Sequence, residues 1–276
     1  MDQRDMTNFS SLDELKKKLT VTDEVCEKHN VNLTSAFGRP AVCMLCVKED
    51  VAKKEKELIE QQLKKHEKRN SYDWLEKHSI FLDDTLKHAT FDNYKTDCKE
   101  TADNQELALK IAREYFRGAD YNTILTGTPG TGKSHLSMSM LKVVNEHSDP
   151  YRKCLFVSID ELMRRIKDSF SNRESFYTEQ RMVEMMTKAD LLVIDDLGAE
   201  TGAITSDKSA TDFTTRVLYA IINGRMKKPT IITTNLNSKE LSKMYDRKLI
   251  SRMFRGADGH VIQFKNTTDK RISVEF

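Results

Sequence analysis

Gly127, Thr128, Pro129, Gly130, Thr131, Gly132, Lys133 and Ser134 stand at the spacing Gly-x-x-x-x-Gly-Lys-Ser. Glycines at these places let a backbone wrap around an anion with successive N–H groups pointing inward. A helix starting at the lysine adds partial positive charge at the same point. The chemistry expected of the segment is the binding of ATP or ADP with Mg²⁺. Lys133 would reach the β- and γ-phosphates, and the Ser134 hydroxyl would ligate the metal. His135, next in the chain, completes the expected contact set.

A phosphate loop needs an acidic partner on a neighbouring strand. Leu191, Leu192, Val193 and Ile194 read as a fully buried central strand, with Asp195 and Asp196 at its end. Asp195 is placed to hold Mg²⁺ through water, and Asp196 to polarise an attacking water. A third buried run, Ile231 and Ile232, ends in Thr233, Thr234 and Asn235. Thr234 or Asn235 is expected to sense the γ-phosphate or orient that water.

A second chemistry lies nearer the N-terminus. Cys26 and His29 form one close pair, Cys43 and Cys46 another, with thirteen residues between. Two such pairs across a short loop are the spacing of a closed tetrahedral Zn²⁺ site, structural rather than catalytic. Phe37, Gly38, Arg39 and Pro40 supply the turn between them. Cys98 and Cys154 lack comparable partners, and Cys154 opens a strand and reads as core.

The elements that must position these groups follow from the periodicity. Strands are expected over 122–126, 154–159, 190–195, 230–234 and 260–264. Helices are expected over 104–116, 133–146, 160–169, 174–188, 209–226 and 238–254. Their alternation predicts an α/β fold with a five-stranded parallel sheet between helices. Residues 10–19 predict a short amphipathic helix with a Ser11–Glu14 capping box. Residues 47–70 predict a solvated helical linker rich in Lys and Glu, with Val51, Leu58, Ile59 and Leu63 as sparse apolar points. The domains expected are therefore 1–70, a small helical zinc-binding module with its linker, and 71–276, the nucleotide-binding domain.

The 276 residues carry 45 Lys and Arg against 43 Asp and Glu, so no global field argues for nucleic acid and any such claim rests on local patches. No apolar run approaches the roughly 20 residues needed to cross a bilayer. The polar N-terminus lacks the apolar core of a signal peptide. A cytoplasmic protein without membrane contact is expected.

The order of motifs resembles an AAA+ ATPase, and within that class the DnaC/DnaI/IstB-type branch. Ala89-Thr90-Phe91-Asp92-Asn93-Tyr94, the acidic strand ending Asp195-Asp196-Leu197-Gly198, and Ser251-Arg252-Met253 followed by a strand to Gln263 carry the likeness, which covers roughly 72–276. The resemblance implies that Arg252 is an arginine finger reaching a neighbouring subunit's nucleotide, with Arg255 as competitor, and that Lys270 or Arg271 is the second sensor. It implies self-association through the AAA+ domain and a slow, partner-stimulated ATPase, since Asp196 stands where AAA+ proteins at large carry Glu. Zinc-bearing DnaI-like loaders look similar over the whole arrangement, and there the N-terminal part grips the replicative helicase. The function implied is ATP-dependent loading of a hexameric replicative DNA helicase onto single-stranded DNA during replication initiation. Two other functions fit the same motifs: an IstB-like transposition helper, or an ATP-bound adaptor or inhibitor of the helicase with negligible turnover. Lys167, Phe170, Arg173, Phe176 and Tyr177 place charge beside aromatics between the two nucleotide motifs, a combination suited to single-stranded DNA.

Overall fold

The computed structural model describes residues 19–172, 174–201 and 210–270. The expected helix over 10–19 lies outside the described residues except for Leu19, which opens a strand; Arg173 and Arg271 lie outside them too. The chain divides into two compact units between His66 and Glu67.

In the first unit, β1 (Leu19–Val25) and β2 (Asn32–Ala36) pair antiparallel, with Leu19 opposite Ala36 and Val25 opposite Asn32. Asn30 turns the chain in the left-handed region at φ 51°, a conformation asparagine tolerates. The module is therefore not purely helical as expected. Thr20, Val21, Thr22 and Val25 make a β-branched run suited to a strand, and Cys26 follows directly at its end. Helix α1 (Met44–His78) follows and crosses the division. Its charged middle leaves Ser71 and Leu75 as its buried residues, both near its C-terminal end.

The second unit is built on β3 (Thr123–Gly127), β4 (Cys154–Ser158), β5 (Leu191–Leu197), β6 (Thr230–Thr234) and β7 (Val261–Phe264). The order across the sheet is β4-β5-β6-β3-β7, and every pairing is parallel. Alternation within the apolar run of β5 sends Leu192 and Ile194 into one core, and Leu191 and Val193 into the other. Helices α2 (Lys99–Phe116) and α3 (Lys133–His147) cover the second face. Helices α4 (Ile159–Ser169), α5 (Glu179–Lys188), α6 (Asp212–Gly224), α7 (Ser238–Met244) and α8 (Arg247–Met253) pack on the first. The outer edge of β4 is closed by Ile80, whose N–H donates to Phe156 O at 2.8 Å and whose carbonyl accepts from Ser158 N at 2.8 Å.

Three expectations are corrected. The acidic strand β5 is not the immediate neighbour of β3, because β6 lies between them. The helix expected over 174–188 starts at Glu179, because Thr178 caps it by accepting from Arg181 N. The helix expected over 238–254 is two, because Tyr245 is extended and Asp246 caps a new start by accepting from Lys248 N.

Among the described residues no helix is long and apolar enough to cross a membrane.

Candidate functional site

Strand β3 ends at Gly127, and α3 begins at Lys133, so the glycine-rich loop occupies the corner between them. Gly127 has φ 145°, and a Cβ there would lie 2.3 Å from the Phe264 carbonyl oxygen, so only glycine fits. Gly132 has φ 95°, and a Cβ there would lie 2.7 Å from the Tyr94 ring. Thr131 Oγ1 donates to Thr128 O at 2.9 Å and closes the loop on itself. Lys133, buried, donates to the carbonyls of Gly127 at 2.8 Å and Thr128 at 2.6 Å.

Across β6 stands Asp195, also buried. Thr233 Oγ1 donates to its Oδ1 at 2.7 Å, and Ser134 hydrogen-bonds to it as well. Burial pushes the Asp195 carboxyl up to about 6, against the opposing pull of those two hydroxyls. Asp196 has φ 59°; its N–H donates to Thr233 Oγ1 at 2.8 Å, and its Oδ1 accepts from Asn235 Nδ2 at 2.8 Å. Of the two sensor candidates on β6, Asn235 thus faces the acidic pair, whereas Thr234 donates to Leu197 O at 2.7 Å and serves the backbone.

Lys133, Ser134, Asp195, Asp196, Thr233 and Asn235 line one cavity of about 430 Å³. Its far wall is Leu82, Asp83, Thr85, Leu86, Asn93 and Tyr94, and Lys270 closes one side. Lys270 N–H donates to Gly130 O at 3.0 Å, and its ammonium lies 4.5 Å from the Tyr94 ring centre and 3.2 Å from Asp97. His135 lies against Tyr94 and meets the Thr90 carbonyl at 2.9 Å, so it contributes to the wall. The Tyr94 hydroxyl is buried in this wall with no hydrogen-bond partner among the described residues. The donor set fits a magnesium nucleotide: a loop that only glycine can form, one buried lysine, and a hydroxyl facing a buried carboxylate.

Two features of this site have no clear signature in the sequence, Thr233 and the wall around Leu82–Leu86. Thr233 joins both aspartates, but a threonine in a strand carries no signal of that until β6 is known to lie beside β5. The Leu82–Leu86 wall precedes the family-like segment, and its one sign is Asp83 accepting from Thr85 N at 2.9 Å, a local cap.

The basic residues of the C-terminal half divide. Arg255 is tied to Asp120, with a carboxylate contact at 3.6 Å and a bond to its carbonyl. Arg252 lies on α8 with its guanidinium 4.7 Å from the Tyr219 ring centre. Among the residues expected to meet DNA, Phe176 stacks on His78 and lies under Arg181, and Tyr177 lies under Arg165 and accepts its hydrogen bond at 2.6 Å. All three aromatics have partners within the fold, since Phe170 meets the Phe213 ring edge-on at 5.6 Å. Phe170 is 65% exposed, the most accessible of the three aromatics. Lys167 lies in the last turn of α4.

In the N-terminal unit, Cys26 and His29 sit in the turn of the hairpin, while Cys43 and Cys46 flank the start of α1. Their ligand atoms lie within 4.8 Å of one another. His29 Nδ1 is 3.8, 3.6 and 3.3 Å from the sulfurs of Cys26, Cys43 and Cys46, and the sulfurs of Cys26 and Cys46 are 3.7 Å apart. A tetrahedron with Zn–S near 2.3 Å and Zn–N near 2.0 Å has edges of about 3.5–3.8 Å. The cluster therefore fits zinc. Its electrostatics agree: the His29 backbone and ring draw Cys26 down to about 6, while burial and neighbouring thiols push Cys46 up to about 11, so a full set of thiolates calls for a cation.

Comparison with known proteins fits this geometry. The family described as "IstB-like ATP binding protein" matches residues 47–268. The replicative helicase loader DnaC of Escherichia coli K12 is 30% identical over 172 residues, which span 60% of this chain and 63% of DnaC. The loader of the same name from Buchnera aphidicola of Acyrthosiphon pisum is 28% identical over 171 residues, with the same shares. The chain thus matches less than two thirds of the length of these relatives. Among solved structures, DnaI superposes with a TM-score of 0.53 at 20% identity, covering 67% of this chain and 96% of that one. The DnaC helicase loader structure gives 0.51 at 21%, covering 66% and 100%, and shares the fold. With the phosphate loop, the acidic strand and four fifths of its length matched, this chain belongs to the IstB-like ATP-binding protein family and has an AAA+ fold.

Proposed function

We propose that this protein is an ATP-dependent loader of a hexameric replicative DNA helicase onto single-stranded DNA. The observation that carries the reading is one cavity in which Lys133, Ser134 and Asp195 converge, with Asp196 held by Asn235 at its rim. Its likeness to E. coli DnaC, named a replicative helicase loader, supports the choice of partner.

In this reading residues 71–276 are the ATPase. The loop amides and Lys133 hold the β- and γ-phosphates, and Ser134 and Asp195 hold the magnesium ion. A magnesium ion bound by Ser134 and Asp195 would supply charge neutralisation at the phosphoryl group being transferred. Asp196, fixed by the Asn235 amide, orients the attacking water. Arg252 supplies charge to the nucleotide of an adjoining copy, and Tyr219 keeps its guanidinium in place. Lys270, which lines the cavity, serves as the second sensor. Residues 1–70, with Zn²⁺ held by Cys26, His29, Cys43 and Cys46, form the module that grips the helicase. A protein with this task works in the cytoplasm.

The test pairs hydrolysis with capture. Lys133→Ala is expected to reduce ATP hydrolysis at least about tenfold, measured with helicase and single-stranded DNA present. Cys43→Ser with Cys46→Ser is expected to abolish co-purification of the helicase while ATP still binds. Undiminished helicase capture by the double variant would overturn the N-terminal assignment, and hydrolysis unaffected in Lys133→Ala would overturn the ATPase itself.

A further inference from the structure

The metal-type cluster uses one edge of the His29 ring; the other edge has a partner too. Nε2 of His29 lies 3.1 Å from Glu49 Oε1. Glu49 sits on α1 three residues after Cys46, and its second oxygen pairs with Lys28. The His29 side chain is only 15% exposed, so its ring is confined between the sulfurs and this carboxylate.

We propose that Glu49 is the positioning carboxylate of the N-terminal metal centre, holding the His29 ring so that Nδ1 faces the metal. The inference rests on the reading of the four-residue cluster as a zinc site. A carboxylate at neutral pH accepts hydrogen bonds and donates none, so the proton between the two groups belongs to Nε2. That fixes the tautomer: Nε2–H points at Glu49, and the Nδ1 lone pair points among the three sulfurs. Lys28 holds the carboxylate from its other side, which keeps Oε1 aimed at the ring. The arrangement has a mechanical consequence as well. Cys26, His29 and Lys28 belong to the hairpin turn, whereas Cys46 and Glu49 belong to α1. The carboxylate is thus a second tie between hairpin and helix, parallel to the metal itself.

The experiment uses the full chain, purified with zinc. Zinc affinity is measured by competition with a coloured chelator, and the ring tautomer by nitrogen NMR of the histidine. Wild-type protein is expected to bind one zinc per chain and to show His29 protonated on Nε2. Glu49→Ala is expected to weaken zinc binding about 10- to 100-fold. Glu49→Gln, which keeps an acceptor oxygen in place, is expected to recover most of that loss. Glu55→Ala, on the exposed stretch of α1, is the control for a general effect on the helix. Alanine favours helix and Glu49 is half exposed, so these variants are expected to fold, which circular dichroism checks. Wild-type affinity in Glu49→Ala, or a His29 protonated on Nδ1, would overturn the proposal while leaving the zinc site standing. A wild-type chain that takes up no zinc would remove the site and the proposal together.

Discussion

Asp195 combines burial with a charge, and the two oppose each other. Its carboxyl titrates at about 6 in the folded protein, against an ordinary value of 3.8. Between those values the folded protein holds a proton that the unfolded chain has released. The protonated form's contribution is therefore complete below about pH 4 and is lost as pH rises through 6, at about 3 kcal/mol in all. Asp195→Asn removes that titration. Thermal unfolding of the nucleotide-free variant is expected to lose its decline between pH 4 and 6 and to match or exceed wild-type stability at pH 8, while Mg²⁺-dependent hydrolysis disappears. An unchanged pH slope would show that another group titrates there. Thr233→Val removes one of the two hydroxyls bonded to Asp195 and the acceptor of the Asp196 N–H, and is expected to cost about 1–3 kcal/mol by denaturant titration. The two aspartates were legible in the sequence because their types and place in an apolar run carry chemistry. Thr233 was not, since its role depends on which strand lies beside which.

At the scale of elements, alternating apolar strands and helices made the sheet readable, because a strand covered on both faces must be apolar throughout. Strand order and helix breaks were not readable in the same way. They depend on contacts between distant segments, as when β6 enters between β5 and β3, or on one capping side chain such as Asp246. Arg225 shows the limit most plainly. In the sequence it is a basic residue at the end of a helix, the commonest of solvated positions. In the fold it is 2% exposed and burial pushes its guanidinium down to about 9. It donates to the carbonyls of Met186, Ala189 and Pro229 and to Thr230 Oγ1, joining the ends of α5 and α6 to the start of β6. Arg225→Met would leave those buried acceptors unpaired, with an expected loss of about 3 kcal/mol or more in urea unfolding. Nucleotide affinity is expected to hold, because the tie meets β6 at Thr230 whereas Asn235 follows its other end. A large fall in affinity with little loss of stability would instead assign Arg225 to the site.

For the molecule as a whole, the two units solve the problem of stability by different means. The larger one encloses apolar clusters on both faces of its sheet. In the smaller, Cys43 is the one buried residue among the described residues 19–66. A segment that buries so little apolar surface gains little to offset the entropy of ordering its hairpin, and a metal held by the four-residue cluster would supply what a core otherwise does. The composition of residues 26–46 made this legible, since ligand pairs at short spacing are rare without a metal, but the hairpin that carries them has no comparable signature. Removal of zinc by a strong chelator is therefore expected to erase the β1–β2 cross-strand NMR contacts, such as that between Leu19 and Ala36, at temperatures where the wild-type holds them. A rise in melting temperature given to the larger unit by Mg-ATP is expected to survive the same treatment, because Lys133 and Ser134 lie on α3 and Asp195 on β5, all within that unit. Hairpin contacts that persist without metal would mean that the strands hold themselves, and the cluster would then need a purpose other than folding.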